Sequence, residues 1–395
     1  MKGNGASGSG GSGAGIRSHL LRRLAGAGWV RKLLPSRLLQ WGHRLMPESY
    51  YREVWLAEDE AAAVEEVSSY PASVGVVLGV IKGFASKHAH IAGACRELGV
   101  PYRLVDITVR NWIEAIRESG CDMFLVHPVN YLTVWKQMYD ERLRVLVQEM
   151  GKSLYPTYDE LWLYESKRRV SYWLEANGVP QARTWVFYSC DEAMAFARTA
   201  PLPIVAKTDL GASASGVRVH RSRSTLLRDV RRAFSRGVTL RGGDLRDRQW
   251  GHILLQEYIP DAREWRMMRI GDSYFGYEKV RKGDYHSGSH LWRYSLPPSE
   301  LLEFLRDVTE KGKFTSMDLD ILVSADGKFH VIEIQSVFGM GYPYEMCVVD
   351  GERGRMLYDA ASRSWRFEPG NFCQNYLWNQ RLEYVLEQLR KQGKI

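Results

Sequence analysis

DLDILVSADGKFHVIEIQSVFGMG, residues 318–341, holds an Asp-Gly pair at 326–327 between two apolar runs. Asp-Gly is a strong turn signal, so the stretch predicts two antiparallel strands joined as a hairpin. Side chains alternate along a strand, which puts Glu333 and Gln335 on one face and Ile332 and Ile334 on the other. Folding the hairpin brings Asp320, near the start of one strand, towards Glu333, near the end of the other. Two carboxylates beside an amide oxygen make an all-oxygen site suited to Mg2+, which favours a few carboxylates plus substrate phosphates. The competing reading is a pair of acids neutralised by nearby Arg or Lys, because a buried carboxylate without a partner is costly.

A second signal lies upstream. PLPIVAKTDLGASASGVRVH (201–220) reads as strand, small-residue loop and strand, with Lys207 ending the first strand. Small residues let backbone N–H groups approach a ligand closely, so loop 211–216 is a candidate phosphate cradle. A flexible hairpin with a solvated lysine is the alternative. The loop is not a Walker A motif, since Gly216 is followed by Val217-Arg218 and by no helix. HILLQEYIPDAREWRMMRIGDSYFGYEKVRKGDYHSGS (252–289) then opens with an apolar strand ending in Gln256-Glu257-Tyr258-Ile259. Strand REWRMMRI turns at Gly271-Asp272 into YFGYEKVR and places Glu264, Arg266 and Met268 on one face. An acid and a guanidinium so placed form either part of a site or a surface ion pair.

Nearer the N-terminus, VGVVLGVI (74–81), PYRLVDI (101–107) and CDMFLVHP (121–128) read as strands alternating with helices at 90–99 and 109–120. That alternation describes a small parallel α/β domain. No GxGxxG follows its first strand, which disfavours a dinucleotide site. His88 and His90, two apart near a helix start, would not share a helical face, so capping or solvation suits them better than metal. A helix is expected over 133–150. A long one follows that stops at Gly178 with Pro180 beyond it.

The chain has 395 residues and needs two or three packed units rather than one core. Its net charge of +8 comes from one end: residues 1–47 hold eight Lys and Arg and no acid. Removing those eight from 54 leaves 46 basic residues against 46 acidic ones, so the body is formally neutral. A general nucleic-acid surface is therefore not expected. Residues 1–15 are Gly/Ser-rich and read as disordered. Residues 16–46 have the Leu, Arg and Trp content of an amphipathic segment on an anionic membrane surface. A transit-type peptide, a helix docked on its own protein or a partner, and a solvated tail remain alternatives. Five scattered cysteines with no CxxC argue against a disulfide framework or structural zinc and fit a reducing cytoplasm. No run reaches the ~20 apolar residues that span a bilayer.

Taken in order, these pieces over residues 74–345 resemble the ATP-grasp superfamily, the carboxylate–amine ligases that include the RimK-like and D-alanine–D-alanine ligases. The resemblance implies an α/β (α+β ATP-grasp) architecture, a small parallel α/β domain followed by two α+β subdomains that clasp ATP between them. Residues 70–150 would form the first, 151–345 the ATP-grasp domain, and 346–395 an extension with a terminal helix. It also implies that Lys167 in YESKRRV and Lys207 hold phosphates beside the loop Gly211, Ser213, Ser215 and Gly216. Glu257, Tyr258 and Ile259 match the adenine linker, and Glu264 the acid on the ribose hydroxyls. Asp320, Glu333 and Gln335 match the metal-binding Asp…Glu-x-Asn pattern, with two Mg2+ ions expected and Mn2+ able to replace them. GDYHSGS is similar to the RimK-like GDFRSN stretch and would place Lys279 and Arg281 near the γ-phosphate. Gln335 stands for the usual Asn, and VFGMG for the common SPG, leaving Gly339 as the backbone donor. Asp318 stands where D-alanine ligases carry an Arg, a charge that Arg266 or Arg281 would then supply. The implied activity is Mg-dependent activation of a small-molecule carboxylate as an acyl phosphate, followed by attack of an amine. An ATP-dependent phosphotransferase acting on a hydroxyl and a non-catalytic ATP-binding membrane-associated protein are the rivals. Homo-oligomerisation and the substrates' identities stay open.

Overall fold

The computed structural model of the chain describes residues 75–83, 87–128, 132–211, 214–240, 243–283, 291–339 and 346–395. The Gly/Ser and basic segments of residues 1–47, Ser213, and residues 284–289 of GDYHSGS lie outside them.

The strand–helix alternation folds as β1 (Leu78–Lys82), α1 (His88–Glu97), β2 (Tyr102–Asp106), α2 (Trp112–Ser119), β3 (Met123–Leu125), α3 (Thr133–Arg144) and β4 (Ser153–Tyr155). A π-helical turn, Val145–Glu149, ends α3. The four strands are parallel in the order β2-β1-β3-β4. Strands covered on both faces are near-continuous apolar runs, as β1 and β3 are, whereas the edge strand β2 exposes Arg103. The sheet runs on to Tyr155, beyond the 70–150 span expected for this unit.

The single long helix expected before Gly178 is two helices, α4 (Tyr158–Leu163) and α5 (Lys167–Ala176). Ser166 caps α5, its hydroxyl accepting the Arg169 N–H at 3.5 Å, and Glu165 before it is left-handed with φ 53°. Thr157 and Glu160 form a reciprocal capping box that starts α4.

The middle unit comprises β5 (Thr184–Phe187), α6 (Cys190–Thr199), β6 (Ile204–Lys207), β7 (Val217–His220), α7 (Arg223–Ser235) and β8 (Ile253–Glu257). Its antiparallel sheet has the order β5-β8-β6-β7. Ala193, Ala197, Leu226 and Val230 of the two helices pack on Ile204, Ala206, Ile253 and Leu255. Alternation then turns Val205 and Lys207 to the opposite face.

The third unit comprises β9 (Arg263–Ile270), β10 (Ser273–Lys279), β11 (Trp292–Arg293), α8 (Ser299–Lys311), β12 (Ser316–Val323), β13 (Phe329–Gln335), β14 (Cys347–Val349), β15 (Glu352–Asp359), β16 (Ser364–Pro369) and α9 (Gln374–Lys391). Its eight strands run β13-β12-β9-β10-β15-β14, with β11 on β10 and β16 on β15. Residues 346–395 therefore do two things. Strands β14–β16 widen this sheet, while Leu382, Val385, Leu386 and Leu389 of α9 enter the core of the parallel unit. The apolar face of the terminal helix thus completes the N-terminal unit. All five cysteines are free. Among the described residues no helix is long and apolar enough to cross a membrane.

Candidate active site

The hairpin expected from Asp326-Gly327 is β12–β13, with Gly327 at φ 79° donating its N–H to the Ser324 carbonyl at 2.9 Å. Its register sets Asp320 directly opposite Glu333 and Asp318 opposite Gln335. On the other side of β12, Asp320 faces Arg266 of β9, and Glu264 faces Lys279 of β10. One patch of sheet thus gathers Glu264, Arg266, Lys279, Asp318, Asp320, Glu333 and Gln335. A β-bulge beside Asp320 breaks the alternation. Val331 and Ile334 go to the core, while Ile332, expected with Ile334 on the face opposite Glu333, lines the cleft beside Glu333.

The patch is an ion network. Arg266 forks onto Asp320 with bonds of 3.0 and 3.1 Å, and its Nε lies 3.6 Å from Asp318. Lys279 donates to Glu264 at 2.8 Å and also to Asp320. Burial alone would raise the Asp320 carboxyl, but Arg266 and Lys279 override it and hold the group below the usual carboxylate range. Burial pulls the other way on Lys279, and Asp320 and Glu264 keep it above its ordinary value. Lys279 was expected at the γ-phosphate. In this structure it is buried as a counter-ion, shared between Glu264 and Asp320 of the cleft.

The patch faces a cleft of about 290 Å3 whose opposite wall belongs to the middle unit. Lys167, at the start of α5, donates to the Gly211 carbonyl at 2.8 Å and lies 3.2 Å from Glu333. Burial would lower its ammonium pKa; Glu333 and Glu165 raise it above the ordinary value. Lys207 also lines the cleft. Burial, with Lys167 adding repulsion, drops it to about 8 despite the pull of Glu333. Gly211 begins the small-residue loop at φ 116°, a conformation side chains resist. Ser215 and Gly216 stay off the cleft wall, and a Cβ at Gly216 would fall 1.7 Å from the Thr208 hydroxyl oxygen.

Glu257, Tyr258 and Ile259 line the cleft where an adenine linker was expected. The Glu257 side chain accepts the Arg183 N–H at 2.6 Å and so fixes the strand end. Arg281 donates to the Tyr258 hydroxyl at 2.8 Å, on the same wall. Gly339 lines the far end, where a Cβ would meet the Tyr376 carbonyl oxygen at 2.7 Å.

The donor chemistry suits a magnesium-type ion. Two carboxylates, opposed across one hairpin and open to the cleft, leave further positions for phosphate oxygens and water. Among the described residues no group of three or more His, Cys, Asp and Glu forms a self-sufficient metal cage.

The D-alanine–D-alanine ligase of Bacillus anthracis is similar over 81% of this chain and 100% of its own, at 16% identity and a TM-score of 0.51. The chain has the ATP-grasp fold. A RimK-domain ATP-grasp protein of Sphaerobacter thermophilus DSM 20745 matches 66% of this chain and 90% of its own, at 14% identity and TM-score 0.46. The biotin carboxylase domain of Hydrogenobacter thermophilus 2-oxoglutarate carboxylase, solved with MgADP, ADP and bicarbonate, matches 66% of this chain at 15% identity and TM-score 0.47. The chain spans 63% of that domain's length. No protein-family model and no curated protein sequence matches.

In this ATP-grasp fold the cleft brings together Lys167, Lys207, Gly211, Glu264, Arg266, Arg281, Asp320, Glu333, Gln335 and Gly339, residues spread over more than 170 positions of sequence. It also holds Glu165, which the sequence reading passed over. Loss of solvent raises the Glu165 carboxyl while Lys167 pulls it down. Its signal was Ser166, a helix-capping residue in YESKRRV that starts α5 just where the chain enters the cleft. Phe338 and Ile332 were missed for a different reason, since only the hairpin's bulge and its exit bring them to the wall.

Proposed function

We propose that the protein is an ATP-dependent carboxylate–amine ligase. The observation that carries this reading is the facing of two walls: Asp320 and Glu333 opposed on one, Lys167, Lys207 and the Gly211 loop on the other. Lys167 and Lys207 would hold the α- and β-phosphates, with adenine against Glu257–Ile259 and the ribose hydroxyls at Glu264. Asp320 and Glu333 would hold the Mg2+ that neutralises phosphate charge in transit. A substrate carboxylate oxygen attacks the γ-phosphorus and the bond to the β-phosphate oxygen breaks, giving ADP and an acyl phosphate. An amine nitrogen then attacks the acyl carbon, phosphate leaves with its oxygen, and the amine gives up a proton. Arg266, Arg281 and the Gly339 N–H would stabilise the oxyanion of that step. Closure of the small-residue loop would exclude water from the acyl phosphate.

The test is an ADP-release screen that crosses carboxylates with amines, with Glu333→Ala as the blank. Release that needs both a carboxylate and an amine, with a hydroxamate formed when hydroxylamine replaces the amine, is the expected result. ADP formed with a hydroxyl compound alone, and no hydroxamate, would make the protein a phosphotransferase instead.

A further inference from the structure

We propose that Gln335 is a positioning residue rather than a metal ligand: it pins Glu333 to the link between α4 and α5 and, through Glu165, to the start of the small-residue loop. The Glu165 backbone N–H donates to the Gln335 side-chain oxygen at 3.1 Å. A backbone N–H can be met only by the oxygen of an amide, so this bond fixes which way the side chain points. The NH2 group must then face Glu333, and it donates to the Glu333 Oε1 at 2.9 Å. The edge that Gln335 turns towards the acid pair therefore carries protons, which repel a cation. Presenting oxygen there would take a half-turn of the amide, setting NH2 against the Glu165 N–H and breaking both bonds.

The two bonds belong to a closed ring. Glu165 accepts the Gly211 N–H at 3.3 Å, the Gly211 carbonyl accepts from Lys167 at 2.8 Å, and Lys167 returns to Glu333 at 3.2 Å. Gln335 closes the circuit between Glu333 and Glu165. Five residues from α5, the α4–α5 link, the loop and β13 thus hold one another before any ligand arrives. Glu165 sits in a left-handed conformation that a non-glycine residue keeps only when its surroundings demand it, and the ring supplies that demand. The extra methylene of Gln over Asn is what lets one side chain on β13 reach both partners. Displacing the loop start then shifts the hydrogen bonds that orient Glu333.

The metal half of this inference rests on the ATP-site reading; the clasp half does not. The test uses the full chain, freed of metal by chelation and of nucleotide, and compares wild type with Gln335→Met and Gln335→Asn. Met keeps the length without hydrogen bonds, and Asn keeps the amide without the reach. Hydrogen exchange at Glu165 and Gly211 should quicken by about tenfold in both variants, with α8 exchanging as in wild type to show an intact fold. Electron paramagnetic resonance of Mn2+ with ADP should count as many bound ions in Gln335→Met as in wild type, and fewer in Glu333→Gln. Unchanged exchange in the metal-free variants, with Mn2+ lost as in Glu333→Gln, would overturn the proposal and make Gln335 a ligand. Failure of wild type to bind Mn2+ with ADP would count against the ATP-site reading, while the exchange comparison would still decide the clasp.

Discussion

Lys207 makes nucleotide binding measurable as proton uptake. It lies beside Lys167 and faces Glu333, Glu264 and Asp320 across the cleft, and burial with the neighbouring lysine drops it to about 8. A bound phosphate adds negative charge beside the ammonium and returns its pKa to at least the ordinary value of about 10.5. The complex then holds more protons than the free protein at every pH between those values, so affinity must fall as pH rises through that window. At pH 8 about half of the free lysine is protonated, and binding should take up about 0.5 proton; at pH 9 uptake approaches about 0.9. From pH 7 to pH 9 the part of the affinity that depends on Lys207 falls about tenfold, or ~1.4 kcal/mol. Lys167 and Lys279 are both raised above their ordinary value and stay charged throughout. Calorimetric titration with MgADP in two buffers of different ionisation enthalpy, at pH 8 and pH 9, reads the uptake directly. The nucleotide's own phosphates are fully ionised there. Lys207→Arg keeps the charge without the titration and should abolish the uptake. Uptake that persists in Lys207→Arg, or is absent from wild type, would refute the reasoning.

Three further outcomes follow from buried groups. Glu160→Ala removes the acceptor of the Thr157, Thr315 and Ser316 N–H groups, two of them at the start of β12. It should lower unfolding stability by about 3 kcal/mol in urea titration, and a loss under about 1 kcal/mol would contradict the role given to those bonds. Asp320→Asn leaves Arg266 and Lys279 facing each other with half their compensation gone. A stability loss of about 3 kcal/mol is expected by the same measurement, together with loss of Mn2+ binding in the presence of ADP. Gly339→Ala sets a Cβ 2.7 Å from the Tyr376 carbonyl oxygen at φ 138°. It should cost about 2 kcal/mol and lower amine-dependent turnover far more than it weakens MgADP binding by calorimetry.

What could be read from the chain was what local chemistry decides. Asp326-Gly327 dictates a two-strand turn, and a period of two then puts Asp320 and Glu333 on one face, so the acid pair was legible without a structure. The acid-aromatic-aliphatic run Glu257-Tyr258-Ile259 at the exit of β8 was legible for the same reason, and all three residues line the cleft. The sequence reading erred where a contact overrides a period. The bulge that turns Ile332 into the cleft inserts one residue without any Gly or Pro to announce it. Lys279 sits on a strand of ordinary alternation, and only its neighbours across the sheet make it a counter-ion. The break between α4 and α5 was hidden because both halves keep helical periodicity, and nothing local in the sequence places the Glu165 N–H beside Gln335.

The position of α9 shows how the acid hairpin is held in place. Arg381, fully buried on a helix whose apolar face lies in the parallel unit, donates to the Ser316 hydroxyl at 3.0 Å and the Phe338 carbonyl at 2.9 Å. Ser316 begins β12 and Phe338 follows β13, so one guanidinium clamps both ends of the hairpin that carries the acids. It also takes the Tyr376 carbonyl at 3.0 Å, in a left-handed turn, Asn375–Leu377, which packs against Gly339. Glu160 clamps the same end from α4. The hairpin's turn lies at the other end and is exposed, so these clamps are concentrated at the site end. Charges that must stabilise a transition state act best when they need no reorganisation. On the opposite wall Gly211, where the small-residue loop begins, is tied to the same acids through Glu165, Lys167 and Gln335.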